Sequence, residues 1–252
     1  MNRPQNDLVL LHGWGMNSAV WEGLPEALSA RLTAHPIDLP GHGGRPFDPT
    51  RRWLPDWADD CLQQAPEQAI WLGWSLGGLV AMQAALQAPK RVRALILITS
   101  TPRFVQAADW RAAVPEETLA QFSASLLDDP KGTLERFLAL QVRGSSEARA
   151  TLRLLRAELA LRQAPLPEAL AAGLDLLREE DLRGPLPDIT MPTLWLFGER
   201  DTLAPSTVSE RIALLLPESR TRVIPGAAHA PFLSHADVVV AEINAFLDDI
   251  AL

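Results

Sequence analysis

The chain has 252 residues, 47% of them hydrophobic and 21% charged, which is typical of one large globular domain and excludes a disordered or fibrous protein. The formal net charge of −8 argues against nucleic acid as a partner of the molecule as a whole. A net charge of this sign still allows a local basic patch on the surface. No apolar run approaches the roughly 20 residues of a membrane span and the N-terminus lacks a secretory pattern, so we expect a cytoplasmic protein that does not associate with membranes.

Six short runs rich in leucine or β-branched residues predict buried parallel strands. These runs are Asp7–Leu11, Thr33–Asp38, Ala69–Gly73, Ala94–Thr99, Thr193–Phe197 and Thr221–Ile224. Between most of them, helical periodicity predicts helices at Ser18–Leu32, Leu76–Gln87, Ser206–Leu216 and Ala236–Ile250. Because strands and helices alternate, the sequence predicts an α/β fold with a doubly wound, mostly parallel sheet.

The alternation stops in the middle of the chain, where no strand-like run appears. Four helical stretches follow one another there, near Glu116–Asp128, Thr133–Arg143, Ser146–Arg162 and Pro167–Glu179, separated by prolines and a glycine. The sequence therefore predicts a core formed by residues 1–102 and 188–252, interrupted by a helical insertion at residues 103–187.

A candidate nucleophile lies between a predicted strand and a predicted helix. Gly73-Trp74-Ser75-Leu76-Gly77 matches G-x-S-x-G, in which a strained turn exposes the serine and small residues on either side relieve crowding. Ser75 would then lie at the carboxyl end of the sheet above a helix N-terminus, where negative charge on a substrate oxygen is favoured. The alternative is an ordinary helix N-cap serine between packing glycines.

A serine nucleophile needs a base, and the chain has five histidines. His229 lies in a loop of small residues, Pro225–Pro231, between the last predicted strand and the last predicted helix, from which it can reach the nucleophile. We interpret His235 as a solvated or capping residue, and His35 and His42 as structural residues.

The acid that orients the base should lie between the serine and the histidine in the sequence. Asp201 follows the predicted strand Thr193–Phe197 and would lie at the same edge of the sheet as Ser75. Glu199 is the competing carboxylate.

An oxyanion hole needs two backbone N–H donors, one after the nucleophile and one after an early strand. Leu76 and Trp14 are the candidates, and Trp14 lies in His12-Gly13-Trp14-Gly15 directly after the first predicted strand. The alternative for this segment is a plain glycine-rich turn. Because no H-E-x-x-H motif, histidine cluster or phosphate-binding loop is present, we expect no metal and no cofactor.

Several segments resemble the pimeloyl-[acyl-carrier protein] methyl ester esterase family, and together they span nearly the whole chain. They are LVLLHGWGMN (8–17), IDLPGHG (37–43), QAIWLGWSLGGLVA (68–81), ERFLALQ (135–141) and AAHAPFLSH (227–235). HGWG and GWSLGG together with AHAPF are fairly specific to that family, whereas G-x-S-x-G alone marks the α/β-hydrolase superfamily.

The resemblance implies an α/β-hydrolase fold with a helical lid and a serine carboxylesterase of biotin synthesis that releases methanol from pimeloyl-acyl-carrier protein methyl ester. It matches Ser75, Asp201 and His229 to the catalytic triad. It also matches Trp14 and Leu76 to the oxyanion hole and implies Phe137 as a pocket residue. Members of the superfamily usually have one or two extra strands before the strand that leads to HG, whereas about seven residues precede it here. We therefore expect either a shortened sheet edge or a displaced start.

The implied partner is an acidic acyl-carrier protein, which requires a positive surface on an acidic, monomeric enzyme. Residues 131–162 contain seven cationic and three acidic side chains, a net charge of +4, which leaves −12 for the remainder. Arg149, Arg153 and Arg156 recur at helical spacing on one face. We expect Arg136, Arg149 and Arg153 to bind the carrier protein or its phosphopantetheine phosphate; the alternative is that these arginines are simply soluble helix formers.

Two other functions stay open. A general short-chain carboxylesterase or an acyl thioesterase would use the same triad on another substrate. A binding protein with an idle triad would retain only the fold, and labelling by a fluorophosphonate would distinguish it, because only an activated serine reacts.

Overall fold

A six-stranded sheet runs through the middle of the molecule. The computed structural model describes residues 6–28 and 32–251. Every strand pairing in it is parallel, and the strand order is β2-β1-β3-β4-β5-β6. The strands are β1 (Asn6–Leu11), β2 (Leu32–Ile37), β3 (Ala69–Trp74), β4 (Val92–Ile98), β5 (Thr193–Gly198) and β6 (Arg220–Ile224). All six predicted strands are confirmed, as is the parallel sheet.

Helices cover both faces of the sheet because its central strands are apolar on both sides. Alternate residues of each strand point to opposite faces, so Trp71 and Leu95 pack into one core and Ile70 and Ile96 into the other. The first core includes residues of α2 (Leu54–Gln64), α3 (Leu76–Gln87) and α8 (Val208–Leu215); the second includes residues of α10 (Ala236–Asp249). The doubly wound arrangement is therefore also confirmed.

The predicted helix Ser18–Leu32 is wrong as a single element. A 3₁₀ turn at Ser18–Trp21 and a short helix, α1 (Leu24–Ala27), occupy part of it, and residues 29–31 lie outside the described residues. Gly23 separates the two with a φ of 84°, a left-handed conformation that interrupts the helical hydrogen-bond series.

Four helices lie between β4 and β5: α4 (Glu116–Asp128), α5 (Pro130–Gln141), α6 (Ala148–Ala160) and α7 (Pro167–Glu179). They confirm the four predicted helices. That residues 103–187 act as a unit, a lid, stays a prediction. A short helix, α9 (Pro231–Ser234), precedes α10. Within the described ranges, no helix is long and apolar enough to cross a membrane.

Candidate active site

Ser75 occupies the tight turn between β3 and α3. Its backbone has φ 56° and ψ −119°, a conformation that few L-residues adopt. The turn is tight because a Cβ at Gly73 would lie 2.4 Å from the carbonyl oxygen of Gly77, and a Cβ at Gly77 would lie 2.3 Å from that of Leu11. Only glycine fits at either position, which is the local reason for the G-x-S-x-G pattern.

The structure brings together the three side chains predicted as nucleophile, base and acid. Nε2 of His229 lies 2.8 Å from Oγ of Ser75, and Nδ1 lies 2.8 Å from Oδ2 of Asp201. All three residues are at most 5% exposed. With the proton on Nδ1 donated to Asp201, Nε2 accepts the hydroxyl proton of Ser75, which is the arrangement that general-base activation requires.

The loop after β5 fixes the carboxylate of Asp201. Its Oδ1 accepts hydrogen bonds from the backbone N–H groups of Leu203, at 2.8 Å, and Ala204, at 3.2 Å. Oδ2 is thereby directed to His229. The competing carboxylate, Glu199, instead accepts a hydrogen bond from the backbone N–H of Gly226 at 2.7 Å.

The other histidines have structural partners. Nε2 of His35 lies 2.7 Å from the carboxylate of Asp7, and Nδ1 of His235 lies 2.9 Å from the hydroxyl of Ser234. His42 is fully buried, with Nδ1 2.9 Å from the carbonyl oxygen of Pro40. None of these contacts involves the site.

His12 holds the segment that carries Trp14. Its Nδ1–H donates to the carbonyl of Gly13 at 2.8 Å, and its Nε2 accepts the backbone N–H of Leu39 at 3.0 Å. Burial lowers the pKa of His12 to about 4, which keeps the ring neutral so that Nε2 can accept. The loop after β1 is therefore tied to the loop after β2.

The two predicted oxyanion-hole donors lie beside Ser75. A Cβ at Gly13 would lie 3.3 Å from Cβ of Ser75, so the segment before Trp14 packs directly on Ser75. Among the hydrogen bonds of residues 6–28 and 32–251, none uses the backbone N–H of Trp14 or of Leu76. That Trp14 and Leu76 form the oxyanion hole stays a prediction.

Helices α5 and α7 pack over Trp14 and Leu76. The ring of Phe137 packs on that of Trp14, with centroids 4.6 Å apart, and the indole N–H of Trp14 donates to the carbonyl of Leu170 at 2.9 Å. A Cβ at Gly173 would lie 2.8 Å from Cδ1 of Trp14 and 3.2 Å from Cδ2 of Leu76. Helices α5 and α7 therefore pack over the region of Ser75, which is 2% exposed.

Sequence reasoning missed four residues that hold the backbones of Ser75 and His229. The indole of Trp74 and the hydroxyl of Thr99 each donate to the carbonyl of His229 at 2.7 Å, and the backbone N–H of His229 donates to the carbonyl of Gln141 at 2.9 Å. The hydroxyl of Ser100 donates to the carbonyl of Ser75 at 2.8 Å. The sequence signal that could have indicated them is their position at or just after the ends of β3, β4 and α5, where the predicted site lies.

The predicted docking arginines are solvent-exposed but differ in their contacts. Arg136 donates to the hydroxyl of Thr133 at 2.8 Å and lies 3.4 Å from Asp129. Arg149 and Arg153 on α6 are exposed and form no ion pair with any residue the structure describes. Within residues 6–28 and 32–251, no group of three or more His, Cys, Asp or Glu side chains could hold a metal ion.

Comparison with known proteins first establishes the class. A family model described as alpha/beta hydrolase fold matches residues 7–236. An esterase from Exiguobacterium antarcticum has a TM-score of 0.85 at 23% identity, and a bromoperoxidase from Bacillus anthracis has 0.86 at 19%; each alignment covers 96% of this chain and 92% of that chain. These two structures support the fold alone. The fold and the site thus define an α/β hydrolase.

Curated relatives narrow the class. The pimeloyl-[acyl-carrier protein] methyl ester esterase of Xanthomonas oryzae pv. oryzae (strain MAFF 311018) is 46% identical over 95% of this chain and 94% of its own length. The protein of that name from Pectobacterium atrosepticum is also 46% identical, over 95% and 93%. The chain belongs to this family of carboxylic ester hydrolases.

Proposed function

We propose that this chain hydrolyses the terminal methyl ester of pimeloyl-acyl-carrier protein, releasing methanol in biotin synthesis, with Ser75 as nucleophile. His229 is the general base and Asp201 the acid that orients it. The observation that carries the proposal is the continuous hydrogen-bonded chain through these three side chains, with both links at 2.8 Å, in a protein 46% identical to relatives named for this reaction.

The geometry supports an acyl-enzyme mechanism. Nε2 of His229 takes the hydroxyl proton while Oγ of Ser75 attacks the ester carbonyl, and Asp201 stabilises the imidazolium that forms. The backbone N–H groups of Trp14 and Leu76 receive the negative charge on the carbonyl oxygen. The imidazolium then protonates the departing methoxide, and water, deprotonated by the same histidine, attacks the acyl-enzyme and restores the free serine.

The insertion supplies the candidate path for a carrier-borne chain. In the proposal, residues 103–187 are the lid, and Phe137 and Trp14 line the acyl pocket. A cavity of about 490 Å³ opens between α5, α6 and the start of α7. Leu134 and Leu170 line it, and Leu134 also packs against Gly15, the residue after Trp14. The proposed path to Ser75 therefore requires these apolar side chains to move.

Charge supports a carrier protein as the partner. Lys131, Arg156 and Arg162 line the same cavity, against one acidic side chain, Glu135. In the proposal, Arg136, Arg149 and Arg153 bind the acidic carrier or its phosphate. A partner docked here is affected mainly by the near patch, because the Debye length is roughly 8 Å at physiological ionic strength.

The principal experiment measures hydrolysis of methyl pimeloyl-acyl-carrier protein by the wild type and by Ser75→Ala. We expect the variant to lose at least about 10⁴-fold in kcat, as removal of a triad nucleophile does elsewhere. Ser123→Ala on α4, whose hydroxyl donates within its own helix, is the matched control and should retain wild-type turnover. Wild-type-like hydrolysis by Ser75→Ala would refute the triad.

The substrate is tested separately from the triad. The wild type should prefer the carrier-bound methyl ester over p-nitrophenyl acetate and over an acyl thioester. Equal or greater kcat/KM on the small ester would favour a general carboxylesterase, and preference for the thioester would favour a thioesterase.

Docking is tested by charge reversal. Arg149→Glu with Arg153→Glu should lower kcat/KM for the carrier-bound ester by about 10- to 100-fold and leave p-nitrophenyl acetate hydrolysis unchanged, because reversal opposes an acidic partner. Lys90→Glu with Arg111→Glu makes the same change in net charge at exposed positions outside residues 131–162 and should change neither activity. Unchanged carrier turnover by the first pair would contradict docking on α6.

The proposal also places the enzyme in the cytoplasm as a monomer. Sedimentation at working concentration, with and without carrier protein, tests the monomer and a one-to-one complex.

A further inference from the structure

Ile98, the last residue of β4, and the two residues that follow it each form a hydrogen bond with the backbone of Ser75 or His229. The carbonyl of Ile98 accepts the backbone N–H of Ser75 at 3.0 Å. The hydroxyl of Thr99 donates to the carbonyl of His229 at 2.7 Å. The hydroxyl of Ser100 returns to Ser75 and donates to its carbonyl at 2.8 Å. One short segment is therefore attached to the backbones of both reacting residues.

The carbonyl of His229 has a second donor. The indole N–H of Trp74, the residue before the nucleophile, reaches it at 2.7 Å. A carbonyl oxygen has two lone pairs, so Trp74 and Thr99 together satisfy it. Both side chains are fully buried, so neither bond competes with bulk water.

The backbone of Thr99 has an unfavourable, left-handed conformation. Its φ is 43°, which is unusual for a β-branched residue, and its N–H donates to the carbonyl of Leu196 at 2.7 Å. Conformations of this kind cost about 1–3 kcal/mol and persist only where the surroundings determine them, often beside a functional site. The strained residue here lies directly against the base.

The loop that carries His229 is held through hydrogen bonds of its backbone. Gly226, Ala227, Ala228 and Ala230 flank the histidine and offer only a Cβ or less for packing. The N–H of Arg200 donates to the carbonyl of Ala227 at 2.8 Å, and the N–H of His229 donates to the carbonyl of Gln141 at 2.9 Å. Trp74 and Thr99 are the two side chains that act directly on the carbonyl of His229.

We propose that Thr99, together with Trp74, is a positioning residue that sets the distance between Nε2 of His229 and Oγ of Ser75. The inference rests on the catalytic roles proposed above for those two residues. Neither Thr99 nor Trp74 acts on the substrate in it; each acts through the carbonyl of the base. Displacement of a reacting group by about 1 Å can lower a rate by about 10²-fold, so a partial loss of this restraint is measurable.

The experiment compares Thr99→Val with Thr99→Ser on the carrier-bound ester and on p-nitrophenyl acetate. Valine keeps the β-branched shape and removes the donor, so we expect kcat to fall about tenfold on both substrates with KM within about twofold. Serine keeps the hydroxyl and should restore kcat to within about twofold. Trp74→Phe, which removes the indole donor, should resemble Thr99→Val.

A double variant tests whether the two donors act on one group. After either single change, the other donor still holds the carbonyl, so Thr99→Val with Trp74→Phe should lower kcat by more than the product of the single effects. If the two effects merely multiply, the donors do not share this function and the joint role is wrong.

Thr101→Val is the matched control. Thr101 is buried two residues away, and its hydroxyl donates to the carbonyl of Arg103 at 3.1 Å and not to His229. Its kcat should equal that of the wild type. Titration of active sites with a fluorophosphonate normalises every kcat, and thermal unfolding of each variant separates lost stability from lost positioning.

Two results would overturn the inference. In the first, Thr99→Val reacts with the fluorophosphonate and yet has the kcat of the wild type, or the kcat of Thr99→Ser falls as far as that of Thr99→Val. Either outcome would mean that the hydroxyl does not position His229, although the triad assignment would stand. If a fluorophosphonate fails to label the wild type, the triad itself is wrong, and the positioning role falls with it.

Discussion

His42 shows how a single buried side chain links stability to pH. It packs between His12 and Trp57, with ring centroids 5.1 and 6.1 Å away, and burial lowers its pKa to about 3 from an ordinary value of 6.5. The folded protein therefore keeps His42 neutral at pH values where the unfolded chain binds a proton.

The sign of the pH effect follows from this difference. Between pH 6.5 and 3 the unfolded state binds more protons, so the free energy of unfolding falls as the pH falls; from pH 7 to pH 5 one such histidine contributes a loss of about 2 kcal/mol. His42→Asn removes the titrating group, and its amide can still donate to the carbonyl of Pro40. Urea denaturation at pH 7 and pH 5 should show a drop about 2 kcal/mol smaller for the variant than for the wild type. An equal drop would contradict the buried neutral state.

The residues of the site differed in how far the sequence could predict them. Ser75, Asp201 and His229 each lie in a recognisable local context: a G-x-S-x-G turn, the loop after a strand, and a loop of small residues. Thr99 has no such context. Its bond to His229 joins residues 130 positions apart and depends on how two loops meet after folding, which periodicity and spacing do not determine.

At the scale of elements, the joint between β3 and α3 tolerates no side chain at Gly77. A Cβ there would lie 2.3 Å from the carbonyl oxygen of Leu11 and 2.5 Å from that of His12, both backbone atoms of the neighbouring strand end. Gly184, in contrast, has no atom within 4 Å of such a Cβ. The two glycines therefore form a matched pair for substitution.

Gly77→Ala should lower the free energy of unfolding by more than about 2 kcal/mol, because α3 must move away from β1 or the joint must distort. It should also lower kcat, since the same movement displaces Ser75. Gly184→Ala should change the free energy of unfolding by less than about 0.5 kcal/mol. Chemical denaturation and ester hydrolysis check both; an alanine tolerated equally at the two positions would show that the joint is not close-packed.

Elements with a strong periodic pattern were predicted closely, and those broken by backbone geometry were not. α3, α4 and α7 begin and end where the sequence predicted. The predicted helix Ser18–Leu32 was wrong because Gly23 takes a left-handed conformation, which no pattern of apolar residues reveals. The packing of α5 and α7 on Trp14 could not be predicted either, because a helical pattern does not determine what a helix packs against.

At the scale of the whole molecule, the uneven distribution of charge predicts a salt-dependent reaction. The net charge is −8, yet residues 131–162 carry +4. Attraction of an acidic carrier to that segment weakens as salt screens it, since the Debye length falls from about 10 Å at 0.1 M to about 3 Å at 1 M.

Raising the salt concentration from 0.1 to 1 M should therefore lower kcat/KM for the carrier-bound ester by about tenfold, mainly through KM. Hydrolysis of p-nitrophenyl acetate, which is uncharged, is the control and should change by less than about twofold. A carrier reaction that is insensitive to salt would mean that recognition does not depend on these charges.

The bond from the backbone N–H of His229 to the carbonyl of Gln141, 2.9 Å long, joins the base to the last residue of α5. The helix whose Phe137 packs on Trp14 beside Ser75 is thus also part of the support of the His229 imidazole. If residues 103–187 act as the proposed lid, a movement that swings the C-terminal end of α5 outward must stretch or break that link and so loosen the support of the imidazole. In the proposed mechanism, proton transfer to His229 is therefore coupled to the position of the helix that lies over Ser75.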